Sequence, residues 1–531
     1  MDYYTHRVAG HIYEGLLNYH PLKRPMTLVP ALAEALPTIS KDGMTYTFKI
    51  KKGVKFQDDP CFKATGGKGR ELVAQDFVYS WKRIADPKVQ SDTYWIFEGK
   101  IKGLDDWRRQ KGEDKVNYET PVEGLQTPDS HTLVIKLVKP YYQLNSVLAM
   151  ATAYAVPREA VDHYGPEFLN HPVGTGPFRL AEWVKNSRIT LEKNPTFRGE
   201  TYPAEGTDRA EHLVDAGKPI PFVDKIIFTE FVEDQPMWLG FLKGDLDYSG
   251  IPKDNFDAAV DRATRQPKKE LTDKGIKVEF REDADITYTV LNMADPFLGK
   301  HKLVRQAMNL ATDHATLIDK FYNGRAVPAQ GPIPPGFEGY DPNFKNPYQG
   351  HDLARAKALL EKAGFPGGKG IPELVYEITN STTGRQMGEF FQQEMAAIGI
   401  KVRLNVNTWP EMTEKLKTRK AQLAGLGWNA DYSDPENFLQ LFYGKNVAPG
   451  ANNANYSSPA FDKLYEKALS LPPGSERTKL YLQMRDLVVE DAPWIFHVHR
   501  VRTSAHHPWV KNFLPSPMVN GWLRYVRLER K

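Results

Sequence analysis

Residues 352–406 read DLARAKALLEKAGFPGGKGIPELVYEITNSTTGRQMGEFFQQEMAAIGIKVRLNV. This stretch spells helix, strand, helix and strand in succession. Asp352 can cap a helix by accepting a hydrogen bond from a first-turn N–H. Leu353, Ala356, Leu359 and Leu360 then fall on one helical stripe, and Gly364 follows the last turn. The glycine-rich run 364–370 lacks a Lys-Ser/Thr ending and follows a helix instead of opening one. It reads as a helix stop and turn, not a phosphate loop. Residues 374–378 make a strand. A helix over 385–398 buries Phe390, Phe391 and Met395, with Gly399 past its end, and Val402, Leu404 and Val406 alternate as the next strand. Strands separated by helices of this length predict α/β units and a largely parallel sheet.

The same alternation extends outward. A strand is expected at 287–291 and a helix at 302–312, with Leu303, Ala307, Leu310 and Ala311 on one face. Two helices, 460–471 and 475–490, precede a final strand at 493–501. In the first half, Tyr46, Phe48 and Ile50 alternate with polar neighbours, as do Leu133, Ile135 and Leu137. A helix is expected between them at 72–84. Two glycines and a proline interrupt the chain at 174–177. A strand pair, 178–183 and 188–192, follows with a turn at Asn186-Ser187, and another strand is expected at 225–232.

A chain of 531 residues is too long for one ordinary core and predicts two or three domains. Its 70 Lys and Arg against 66 Asp and Glu leave a net charge of +4, with no long basic run, which argues against nucleic-acid binding. No apolar run approaches the roughly 20 residues that span a bilayer. The opening residues do not read as a signal peptide. A single cysteine, Cys61, excludes an internal disulfide and any multi-cysteine metal site.

For chemistry, residues 427–442, GWNADYSDPENFLQLF, are the most informative. Asp431 stands between Trp428-Asn429 and Tyr432, ahead of the turn formers Ser433, Asp434 and Pro435. A carboxylate among aromatics suits a small cationic group such as an amine, through a charged hydrogen bond and cation–π attraction. A solvated acid in an ordinary turn is the plain alternative. His497 and His499 share one strand face and, with His506-His507, could form a metal site; strand histidines more often face water or a polar wall. Asp431 with Asp434 imitates a hydrolase's acid pair, but no nucleophile motif accompanies them. Trp409, Trp428, Tyr432, Tyr288 and Tyr94 lie near strand ends or loops, where they can wall a cleft or serve a core.

An ordered series of short segments covers nearly the whole chain. It runs HIYEGLL (11–17), LVPALAE (28–34), YTFKI (46–50), GVKF (53–56), AQDFVYS (74–80), PVGTGPF (172–178) and ITLEKN (189–194). It continues with GDLD (244–247), VRQAMNLA (304–311), AKALLEKAGF (356–365) and GWNADY (427–432). In this order they resemble the large extracytoplasmic solute-binding proteins, family 5, that serve ABC importers of oligopeptides and dipeptides.

The resemblance implies a two-lobed α/β periplasmic-binding-protein fold of type II, in its large cluster C form with an extra inserted domain. Domain I would comprise 1–14, 171–283 and 499–531, domain II 15–170, and domain III, the second lobe, 284–498. It implies a monomer that is not an enzyme, uses no cofactor or metal, works in the periplasm or on the outer face of the membrane, and delivers a peptide or peptide-like solute to a permease. Relatives that bind metal chelates, haem, sugars or antibiotic-like peptides leave a non-peptide cargo as the alternative.

By similarity, Asp431 pairs with a ligand's α-amino group, and the Trp428 and Asn429 backbone pairs with the ligand main chain. Trp409 and Tyr288 match pocket positions. A family pocket arginine falls at Gly425 and a pocket histidine near Thr383, so Arg419 and Arg385 are the candidates for a carboxylate end. Tyr432, Tyr94, Tyr3 and His499 complete the set. Family members usually carry a signal peptide and a first strand ahead of the position of Asp2-Tyr3-Tyr4-Thr5. The segment at 60–71 is longer than the resemblance leads one to expect.

Overall fold

The computed structural model describes residues 3–24, 26–91, 93–109, 116–207, 209–516 and 518–530. The chain groups into two compact units, one of Met1–Gly240 with Pro508–Lys531 and the other of Phe241–His507.

The first unit holds the strands expected from alternation. Thr45–Lys49 pairs antiparallel with Thr132–Lys136 inside a four-stranded sheet. Phe178–Val184 pairs with Arg188–Lys193, which also pairs with Lys225–Thr229. Helix Ala74–Ala85 buries Phe77, Val78 and Trp81.

The second unit is built on an eight-stranded sheet. Its strands are β1 (Tyr248–Gly250), β2 (Lys277–Glu282), β3 (Asp285–Leu291), β4 (Ala326–Pro328), β5 (Leu374–Thr379), β6 (Val402–Asn407), β7 (Leu423–Asn429) and β8 (Trp494–His506). The main order is β1-β8-β3-β7-β5-β6, with β2 and β4 also pairing with β8. The main helices are α1 (Lys302–Ala311), α2 (His314–Tyr322), α3 (Leu353–Lys362), α4 (Thr382–Ala397), α5 (Trp409–Lys417), α6 (Pro459–Leu469) and α7 (Ser475–Asp491).

Local signals explain the helix ends. Asp352 caps α3 by accepting from the Arg355 N–H. Thr408 and Glu411 form a reciprocal capping box at the start of α5. Gly399 closes α4 with φ +86°. A large core joins α1, α3 and α4 to the sheet through Val304, Met308, Leu360, Phe391, Met395, Leu374 and Leu423. The next residue along β7, Ala424, instead packs with Met412 and Leu416 of α5. Neighbouring strand residues thus serve opposite faces, and helices cover both.

The sheet is mixed, not largely parallel. Only β5–β6 and β5–β7 run parallel. β3 is antiparallel to β7 and to β8, and β8 is antiparallel to β1, β2 and β4. A single crossover helix lies between β5 and β6 and between β6 and β7, and these passages keep strand direction. Several helices intervene between β3 and β5, and the direction reverses, whereas β7 and β8, both antiparallel to β3, run the same way.

β8 also accounts for the extent of this unit. Its first half pairs with β3, and residues 501–506 pair with β2. Residues 241–283 therefore group with 284–498, whereas the resemblance assigned 171–283 together to domain I. Asp285 and Asp283 reinforce this passage. Arg500 donates to the fully buried Asp285 carboxylate, and Arg502 Nε donates to Asp283 at 2.6 Å.

Candidate functional site

Three strands, β7, β5 and β6, lie side by side and run the same way, so their carboxyl ends share one sheet edge. That edge is where α/β sheets commonly bind ligands. Asp431 follows β7, Arg385 lies in the first turn of α4 after β5, and Trp409 opens α5 after β6.

β7 pairs with β3 along all seven of its residues, Leu423 to Asn429. Its pairing with β5 stops after Leu423 and Ala424. Residues 425–429 therefore have no strand partner on the β5 side among the described residues. Gly425 and Gly427 sit on one face of this length, opposite Thr289 and Thr287 of β3. A Cβ at Gly425 would meet the Tyr376 hydroxyl at 2.7 Å.

Just past β7, Asp431 is half-buried. Its Oδ2 accepts from Asn437 Nδ2 at 3.0 Å, and its backbone N–H donates to Asn437 Oδ1 at 2.9 Å. Trp428 Nε1 donates to the same Oδ1 at 2.9 Å. Among the described residues no cationic side chain forms an ion pair with Asp431. Burial pushes its carboxyl up to about 6, against the opposing effect of the Asn437 donation.

A buried polar scaffold supports this turn. Asp434 Oδ1 accepts from the Glu436 N–H and the Tyr481 hydroxyl, both at 2.9 Å, and Oδ2 faces Arg477 Nη2 at 3.1 Å. Arg477 also reaches Glu338 at 3.0 Å. Glu436 accepts from the Tyr432 and Tyr465 hydroxyls.

The other expected residues divide. Trp409 is 60 % exposed and available as a wall. Asn429, the last residue of β7, is opposite Asp285 of β3. Arg385 is exposed and donates to Asn380 at 3.0 Å. Arg419 is exposed too, but its guanidinium is tied to the Ala448 carbonyl at 2.7 and 3.1 Å.

Three of the proposed wall aromatics belong to packing instead. Tyr432 has no exposed surface, and Tyr288 is stacked on Trp494 with ring centres 3.4 Å apart. Tyr94 is buried in the first unit, bonds Asp105 and lies under Arg108. Tyr3 begins a helix, Tyr3–Ile12, and its side chain is outside the described residues.

His499 is buried and donates through Nδ1 to the Asp285 carbonyl at 2.7 Å. His497 Nε2 meets Thr289 Oγ1 at 2.8 Å. Burial holds both imidazoles well below the usual range, at about 4 and about 3 respectively. Among the described residues, no group of three or more His, Cys, Asp or Glu is gathered to hold a metal ion. Asn437 was not anticipated. A polar residue just ahead of the apolar run FLQLF was the only signal for it.

The model of the bacterial extracellular solute-binding proteins, family 5 (middle), matches residues 27–450, most of the chain. The chain belongs to that family. As a family 5 solute-binding protein it is 26 % identical over 515 residues to the dipeptide-binding protein of Escherichia coli K12, covering 94 % of this chain and 86 % of the relative. It is also 26 % identical over 520 residues to heme-binding protein A of Haemophilus influenzae, covering 95 % and 85 %. Among solved structures, it resembles the periplasmic binding protein DppA of Helicobacter pylori in complex with the peptide STSA. The TM-score is 0.79 at 25 % identity, over 100 % of this chain and 94 % of the other. The two-lobed family 5 fold follows from these likenesses.

Proposed function

We propose that this family 5 protein binds a peptide or peptide-like solute by its amino end and delivers it to the permease of an ABC importer. It acts outside the cytoplasmic membrane, as a monomer, and catalyses no reaction. The observation that carries this reading is the Asp431 carboxylate at the open end of β7, held by Asn437, which also accepts from the Trp428 indole N–H. A carboxylate there receives an ammonium group, and the unpartnered stretch of β7 offers N–H and C=O groups to a ligand main chain. The names of the dipeptide-binding relative and the peptide-bound structural neighbour support the same cargo. Trp409 and Arg385, on the same sheet edge, are assigned to the far part of the ligand.

The test is retention of peptides from a random tetrapeptide library, followed by calorimetry with the retained species. Asp431→Asn should cost about 2 kcal/mol or more, because the ammonium loses its charged partner. N-acetylation of the peptide should cost a similar amount. Retention of no peptide overturns the peptide reading, and equal affinity in parent and variant removes Asp431 from the site.

A second reading, a haem cargo, draws on the equally similar heme-binding relative. Native mass spectrometry of the purified protein separates the two by the mass of the bound species.

A further inference from the structure

Asn437 is fully buried, and each of its side-chain polar atoms is engaged in the turn that carries Asp431. Oδ1 accepts twice, from Trp428 Nε1 and from the Asp431 N–H, both at 2.9 Å. Nδ2 donates to Asp431 Oδ2 at 3.0 Å. The amide has one workable orientation. Flipped, it would set N–H groups against two N–H donors and an oxygen against a carboxylate. The residue is itself fixed through its backbone. Its N–H donates to the Asp434 carbonyl at 3.0 Å, and its carbonyl accepts from Gln440 Nε2 at 3.4 Å. Asp434 is anchored in turn by Arg477 and Tyr481. One amide thus sets both the carboxylate and the indole.

We propose that Asn437 is the positioning residue of the amine site. This rests on the peptide reading above. Asn437 does not touch the ligand. It holds Asp431 in a single rotamer with Oδ2 occupied, and it anchors the Trp428 indole through its N–H. The ligand's ammonium therefore meets a carboxylate already aligned. Without the amide, the carboxylate must be ordered at the moment of binding, and that ordering weakens affinity.

The experiment is a double-mutant cycle read by calorimetry, using a tetrapeptide retained from the random library. Asn437→Leu should weaken binding about tenfold in the parent background. In the Asp431→Asn background it should change affinity by less than about twofold, because its effect passes through the missing carboxylate. Equal losses in both backgrounds make Asn437 merely structural and overturn the proposal. If Asp431→Asn alone leaves affinity intact, the amine reading itself fails, a distinct outcome.

Asn437→Asp serves if the leucine variant does not fold. It keeps an acceptor for the Trp428 indole but removes the donor to Asp431. The indole N–H resonance of Trp428 should then stay near its parent position while the peptide binds more weakly. Unchanged affinity in that variant also overturns the proposal.

Discussion

Asp431 joins two effects that depend on pH in opposite directions. Burial lifts its carboxyl to about 6, so the folded chain holds the proton more tightly than the unfolded chain does. This group's contribution to stability is therefore present at low pH and lost as pH rises through about 6. Pairing with an ammonium needs the anion, which forms over that same interval. Peptide affinity should therefore fall as pH drops from 7 to 5, approaching about tenfold per unit on the acid side, while the ligand-free protein gains stability from this residue. Calorimetry and thermal unfolding across the interval check both slopes, and Asp431→Asn should flatten both. The acid stood out in the sequence because it lies among aromatics and turn formers. Tyr432 and Tyr288 were misjudged, since a residue's type does not tell which side of a strand end becomes core. Asn437 went unseen because its meaning lies in three hydrogen bonds that only the folded turn brings together.

At the scale of elements, the helix and strand pattern of 352–406 was legible almost to its ends, since caps and periodicity are local properties. Strand direction was not, because a period of two is the same in either direction. The glycine-rich turn was legible as a stop, but its packing was not. Gly399, at φ +86°, lies so close to the 367–368 backbone that a Cβ would come within 2.1 Å of the Gly367 carbonyl oxygen. Gly399→Ala combines a left-handed conformation with a backbone collision. It should destabilise the protein by roughly 2 kcal/mol or more, measured by denaturant unfolding. Gly364, also at positive φ but with nothing within 4 Å of a built Cβ, is the control. Alanine there should cost only about 1–2 kcal/mol, the left-handed penalty.

For the whole molecule, the ordered segments identified the family, and the family match bears this out. The extent of the second compact unit was not legible. The 13-residue β8 gathers strands from well-separated parts of the chain into one sheet, and no single segment announces such a pairing. Binding should register globally. A retained tetrapeptide at a hundredfold excess over its Kd should stabilise the folded chain by about 2.7 kcal/mol. A differential scanning experiment should show the rise in Tm, and the N-acetylated peptide at the same concentration should give a much smaller one.

Gly425 and Gly427 contribute no side chain to one face of β7, although the Tyr376 hydroxyl stands 2.7 Å from where a Cβ of Gly425 would be. A guest that pairs with the main chain of this length is read there through atoms that every amino acid shares. On the peptide reading proposed above, tetrapeptides that differ only in the side chain opposite this length should bind with affinities within a few-fold of one another, which calorimetry checks.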